Sequence, residues 1–230
     1  MTIYAQYIVH RAAETLQDLT SIRWPAAELV RYLNDGQREI GFAQPEAVYG
    51  STQSYALAAG ANQMLPSEGN KLITVRCNGG GGPAIRLTSM EILDAQIPNW
   101  RSITPASTIV HYMYDERTPR LFHVYPPAAS GATVDLSYSK NPVDIAEPGA
   151  GATWAQVDNV TPLSVIDLYA NVLVDYILHR AYAKDAEYAQ NAQLSAAYYQ
   201  AFAHALGIER SATVSVSPKG QSAANPNVIK

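Results

Sequence analysis

The chain has 230 residues, 47% hydrophobic, 16% charged and 9% aromatic, with a formal net charge of −4. That composition excludes a disordered polyelectrolyte, a disulfide-stapled miniprotein and a strongly basic nucleic-acid binder, since Cys77 is the one cysteine and 16 Lys+Arg face 20 Asp+Glu. No apolar run reaches the roughly 18 residues a membrane helix needs, and Met1–Arg11 shows no secretory pattern. The size suits one domain, or a domain with an insertion.

In chain order, Ile8, Ala12, Thr15 and Leu19 recur at helical spacing and predict a helix over about 3–18. Pro25 suits a first helical turn, and Leu29, Tyr32, Leu33, Gly36 and Ile40 predict a second helix over about 25–43, ended before Pro45. Residues 1–47 therefore read as a helical pair. Residues 48–142 read as an inserted β-rich region, dense in Gly, Pro and β-branched residues. Lys71–Arg76 and Ala84–Thr88 predict a hairpin with a glycine tip at Gly79–Gly82. Ser89 is a cap for a short helix reaching Ile97. Ile109–Tyr114, Leu121–Tyr125 (stopped by Pro126) and Thr133–Tyr138 predict three strands of an antiparallel meander, because the turns between them are short.

Residues 143–162 read as a linker loop. Val165, Leu168, Tyr169, Val172, Leu173, Tyr176, Ile177 and Arg180 trace one broad helical face starting at Thr161-Pro162. A second helix follows, with Tyr188, Ala192, Ala196, Tyr199, Phe202 and Leu206 in phase and Gly207 as its stop. Asp185 caps the break between them, although one bent helix is the alternative. Residues 163–207 form the C-terminal helical pair, expected to pack on 1–47. Residues 208–230 lose the helical period and read as an extended arm. The fold class is thus α+β: an antiparallel helical bundle from the two terminal helix pairs, with the β region inserted.

The catalytic inventory is poor. His10, His111, His123, His179 and His204 are scattered without metal-ligand spacing, so no metal, cofactor or catalytic residue is assigned. His111 and His123 read as strand histidines facing one another. Ser137–Lys140 matches Ser-x-x-Lys, but on a strand the two side chains face opposite sides. The glycine tip lacks the Gly-Lys-Ser/Thr of a phosphate loop, and Cys77 has no activating neighbour. Asn159-Val160-Thr161 matches the glycosylation pattern but carries no weight without a secretory signal and with Pro162 next. The turn holding Asp115, Glu116, Arg117 and Arg120 reads as solvated. His179, Arg180, Lys184, Asp185 and Glu187 cluster at the helix–helix break, either as local caps and ion pairs or as an intersubunit contact.

Several stretches together resemble a known family: Trp24-Pro25, Tyr32–Ile40, Leu121–Pro127, Phe202 with Leu206-Gly207, and above all Asp175–Tyr188. They resemble the head-to-tail adaptors of tailed double-stranded DNA phages, in particular the tail tubular protein A-like adaptors of short-tailed phages. The resemblance implies a structural virion protein without enzymatic activity. It implies a homo-oligomeric ring of about twelve copies under the portal, with no membrane association. The ring would extend the channel for genomic DNA, which passes without specific binding, and give the tail nozzle a platform. The C-terminal arm (Ile208, Arg210, Val214, Val216, Lys219, Val228 and Lys230) would reach the portal protein. The expected location is the virion neck, after assembly in the host cytoplasm. Two other readings compete: a DNA-binding or regulatory helical protein, which the acidic balance disfavours, and a hydrolase using His111 or His123 with Asp115.

Overall fold

The computed structural model describes residues 3–184 and 189–216, with the side chains of residues 189 and 208–216 outside the description. The elements in chain order are α1 (Ala5–Thr15), α2 (Ala26–Ala43), β1 (Tyr49–Ala56), β2 (Gly60–Met64), β3 (Gly69–Asn78), β4 (Arg86–Leu87) and α3 (Met90–Gln96). Then follow β5 (His111–Tyr114), β6 (Leu121–Ala128), β7 (Thr133–Lys140), α4 (Ala170–Lys184) and α5 (Ala189–Val216). The class is mixed α+β, with five helices and two sheets among the described residues. The chain divides into two compact units, Met1–Gln44 with Pro142–Lys230, and Pro45–Asn141.

In the first unit, α4 is the common neighbour of α1, α2 and α5. Its Leu173, Ile177 and Ala181 are wholly buried, as are Ile8, Val9 and Ala12 of α1 and Val30, Leu33 and Ile40 of α2. Gly36 lets α2 approach α4 closely: a Cβ there would lie 3.0 Å from Tyr176 Cδ1 and 3.1 Å from Leu173 Cδ2. The inner face of α2 also buries two amides, Asn34 and Gln37. Asn34 donates to the Ile145 carbonyl (3.0 Å) and accepts from the Ile145 amide (2.9 Å), and Gln37 accepts from the Ser164 amide (2.9 Å). A buried amide left unpaired is costly, so these pairs hold the returning segment on the helix.

The start of α4 differs from the expectation. Pro162 bridges to Tyr4 in extended conformation, Asp167–Tyr169 form a 3-10 turn, and α4 begins only at Ala170. Consequently Leu168 is exposed, although Val165, Tyr169, Leu173, Tyr176 and Ile177 are buried. The buried stripe of α5 holds Ser195, Phe202 and Leu206, while Ala192, Ala196 and Tyr199 are exposed. Ser195 is turned inward by hydrogen bonds to His179. Gly207 does not stop this helix. It is absent from the left-handed glycines, and α5 runs through it to Val216, so residues 208–216 are helical rather than extended.

The second unit holds a three-stranded sheet, β1-β7-β3, and a four-stranded sheet, β2-β6-β5-β4. Leu72, Val75, Leu136 and Tyr138 of the first sheet share a core with Tyr112, Phe122 and Val124 of the second. The expected meander holds only for β5 and β6, because β7 leaves for the other sheet and lies between β1 and β3. The expected hairpin breaks as well. Past the bridge Cys77↔Ala84, the second arm pairs parallel with β5. Asn78 supplies the reason: its side chain donates to the carbonyls of Pro83 (2.9 Å) and Ile109 (2.8 Å) and accepts from the Ile109 amide (2.7 Å). β6 continues through Pro126 and Pro127, because a proline still offers its carbonyl: Pro127 accepts from the Ala106 amide at 2.8 Å.

Candidate interaction surfaces

The cluster at the end of α4 is engaged inside its own unit. His179 Nδ1 lies 3.0 Å from both the carbonyl and Oγ of Ser195, and Ser195 Oγ lies 3.1 Å from the His179 carbonyl. Arg180 lies over the Tyr32 ring at 5.2 Å, donates to the Tyr176 hydroxyl (3.3 Å) and faces Asp35 (3.8 Å). Lys184 Nζ donates to Glu28 Oε2 at 2.7 Å, and the Tyr32 hydroxyl donates to Glu28 Oε1 at 2.6 Å. Burial pushes the Glu28 carboxyl up, but the bonds from Lys184 and Tyr32 outweigh it and hold the group below its ordinary value. Asp185 and Glu187 lie outside the described residues. Of the expected arm, Ile208, Arg210, Val214 and Val216 lie on α5, and Lys219, Val228 and Lys230 lie outside the described residues.

The α1–α2 junction carries a site that sequence reasoning missed. Asp18 accepts from the backbone amides of Ile22 (3.0 Å), Arg23 (2.8 Å) and Trp24 (2.9 Å), and from Thr20 Oγ1 (3.2 Å). Burial pushes its carboxyl up, and these four bonds together hold it below its ordinary range. The loop is left-handed at Gln17 (φ 56°) and Ser21 (φ 57°), a conformation costing roughly 1 kcal/mol per L-residue. Trp24 closes the loop, donating its Nε1–H to the Ala181 carbonyl at 3.2 Å. A shallow, open recess lies beside it, lined by apolar Leu16, Ile22, Trp24 and Tyr182 and by polar Gln17, Asp18, Arg23 and Asn191. A usable signal was present: an Asp followed by Thr and Ser just before Trp-Pro is a turn-capping pattern.

The remaining candidates of the second unit do not assemble a catalytic site. His111 pairs with Tyr125 and His123 with Met113, so the histidines sit diagonally rather than opposite. His123 Nδ1 lies 2.9 Å from Asn62 Oδ1; burial, with Arg101 nearby, pushes its pKa down. Asp115 Oδ1 accepts from the Arg117 amide within its own turn. Ser137 Oγ contacts Tyr49 Oη (3.0 Å) and Arg76 Nη2 (3.1 Å). Desolvation and the Asp135 carboxylate push the Cys77 thiol up, away from the reactive thiolate. Among the described residues no group of three or more His, Cys, Asp or Glu is placed to hold a metal ion, and no helix is long and apolar enough to cross a membrane.

Among known families, the one described as SU10 adaptor protein matches residues 2–226. No curated protein matches the chain.

Proposed function

The chain belongs to the SU10 adaptor protein family, a family of structural phage proteins rather than enzymes, and on that premise we propose that it is a ring-forming head-to-tail adaptor. In this reading about twelve copies stack under the portal vertex, the helices of the first unit form an antiparallel bundle in the ring wall, and the ring lengthens the DNA channel. The lower side of the ring offers the docking platform for the tail nozzle. The C-terminal segment, beginning with the helical turns at 208–216, contacts the portal protein. The observation that carries the reading is the family match over nearly the whole chain. The acidic balance supports it: a channel that lets DNA slide must not pair many Lys and Arg with phosphates, and this chain has 16 in 230 residues.

The test mixes the purified full chain with portal rings of its own phage, followed by size exclusion and negative-stain electron microscopy. A second ring stacked under the portal, whose copy number is counted directly, is the expected result. Portal rings left bare at micromolar protein and moderate salt would overturn this position in the neck. Salt-sensitive binding to duplex DNA would instead favour the regulatory reading.

A further inference from the structure

We propose that Asn78-Gly79 is a guarded deamidation site: the folded second unit protects the pair, and opening of that unit admits a spontaneous conversion of Asn78 that impairs refolding. It is the one Asn-Gly step in the chain. A glycine after an asparagine has no Cβ to keep its backbone nitrogen away from the side-chain amide. In an opened chain, hydroxide takes the proton of the Gly79 amide and the nitrogen attacks Asn78 Cγ. A new N–Cγ bond closes a succinimide ring, the Cγ–Nδ2 bond breaks, and Nδ2 leaves as ammonia with a proton from water. Water then opens the ring at either of its C–N bonds, giving aspartate or isoaspartate at position 78. Water and hydroxide are the co-reactants.

The fold keeps both reacting groups from this chemistry. Asn78 is buried. Its Nδ2 donates to the carbonyls of Pro83 (2.9 Å) and Ile109 (2.8 Å), and its Oδ1 accepts from the Ile109 amide (2.7 Å), so the side-chain amide is held away from its own backbone. The nucleophile is engaged as well: the Gly79 N–H donates to the Thr133 carbonyl at 2.8 Å. A hydrogen-bonded backbone amide gives up its proton only when the structure around it opens. The same contacts explain why a fragile pair stands here. Only a side-chain amide both donates to two carbonyls and accepts from an amide, and a buried group left unmet is costly. A Cβ at position 79 would run into the Oγ1 and Cβ of Thr133. Packing thus demands the reactive step that packing then guards. Conversion undoes the arrangement. The carboxylate of an aspartate offers acceptors alone to the carbonyls of Pro83 and Ile109. An isoaspartate adds a methylene to the backbone between the Asn78 N–H that donates to Pro83 and the Gly79 N–H that donates to Thr133.

The test holds the full chain in mildly alkaline buffer at body temperature, either folded or in concentrated guanidinium chloride. Position 78 is read by mass spectrometry of the tryptic peptide from Cys77 to Arg86, in which the acid is one mass unit heavier than the amide. Asn78 is expected to convert in denaturant, and at least about tenfold more slowly in the folded chain, because only the opened fraction reacts. Val75→Ala, in the core of the second unit, should speed conversion of the folded chain. Gly79→Ala should suppress conversion in denaturant, where its packing has no bearing. The aged chain is then returned to native buffer beside a chain kept unfolded for the same time at mildly acid pH, where the amide nitrogen stays protonated. The acid-held chain should regain its thermal melting point, whereas the converted chain, and Asn78→Asp made directly, should melt lower or fail to refold. Equal conversion in the folded and denatured chains, or none in either, would overturn the guarded site. Converted chains and Asn78→Asp that melt with wild type would overturn the impairment of refolding.

Discussion

The carboxylate of Asp18 accepts three consecutive backbone amides in a loop with two left-handed residues. Asp18→Ala leaves those amides without their acceptor and is expected to destabilise the chain by about 2 kcal/mol in urea titrations. Its carboxyl is held below the ordinary value when folded, so its contribution is full above the unfolded pKa and is lost as pH falls through the folded one. Asp18→Asn should therefore flatten the acid side of the stability profile between about pH 5 and pH 2, the readout being the urea midpoint against pH. Gly79 makes a different residue-scale demand. A Cβ there would run into the Oγ1 and Cβ of Thr133, whereas one at Gly149 meets nothing. Gly79→Ala is expected to cost about 1–3 kcal/mol by overpacking, and Gly149→Ala close to nothing, as read by thermal melting.

At the scale of the element, α5 separates two physical pictures of Gly207. A C′ glycine takes a left-handed φ, where Ala is disfavoured by about 1 kcal/mol. A glycine inside a helix is itself unfavourable by about the same amount, with Ala the better residue. The helix continues to Val216, and a Cβ at Gly207 has open space, so Gly207→Ala should stabilise α5 by roughly 1 kcal/mol. Helicity by circular dichroism and the urea midpoint should both rise; a fall in either would restore the stop. In the sheets, Asn78 is the comparable device. Its side chain adds three bonds to Pro83 and Ile109 beside the backbone pairing, at the point where the chain leaves β3 and Arg86-Leu87 joins the edge of the second sheet.

On the scale of the whole molecule, the two units have separate cores. The core of Pro45–Asn141 includes Leu72, Val75, Phe122, Leu136 and Tyr138, and that of the other unit is built on Leu173 and Ile177 of α4. Units with separate cores open separately. Leu173→Asp buries a charge where exposure is zero. It should abolish amide protection in α1, α2 and α4 while β3 and β7 keep theirs, measured by hydrogen-exchange mass spectrometry. Equal loss in both regions would show that they unfold as one.

The sequence by itself determined the helical segments, the β content between them and the family. These depend on local period and composition: apolar residues every three or four positions at Leu29, Leu33 and Ile40, and every second position at Val134, Leu136 and Tyr138. Tertiary structure alone decided what depends on side chains meeting across long separations. Asn34 with Ile145 and Gln37 with Ser164 made two polar residues of α2 into buried clamps. Asn78 with Ile109 split a hairpin between two sheets, and Trp24 with Ala181 shaped a recess at one end of a helix whose other end exposes Phe42. A polar side chain has no period of its own. Its place is set by whichever distant backbone group it satisfies, and only the folded chain fixes that choice.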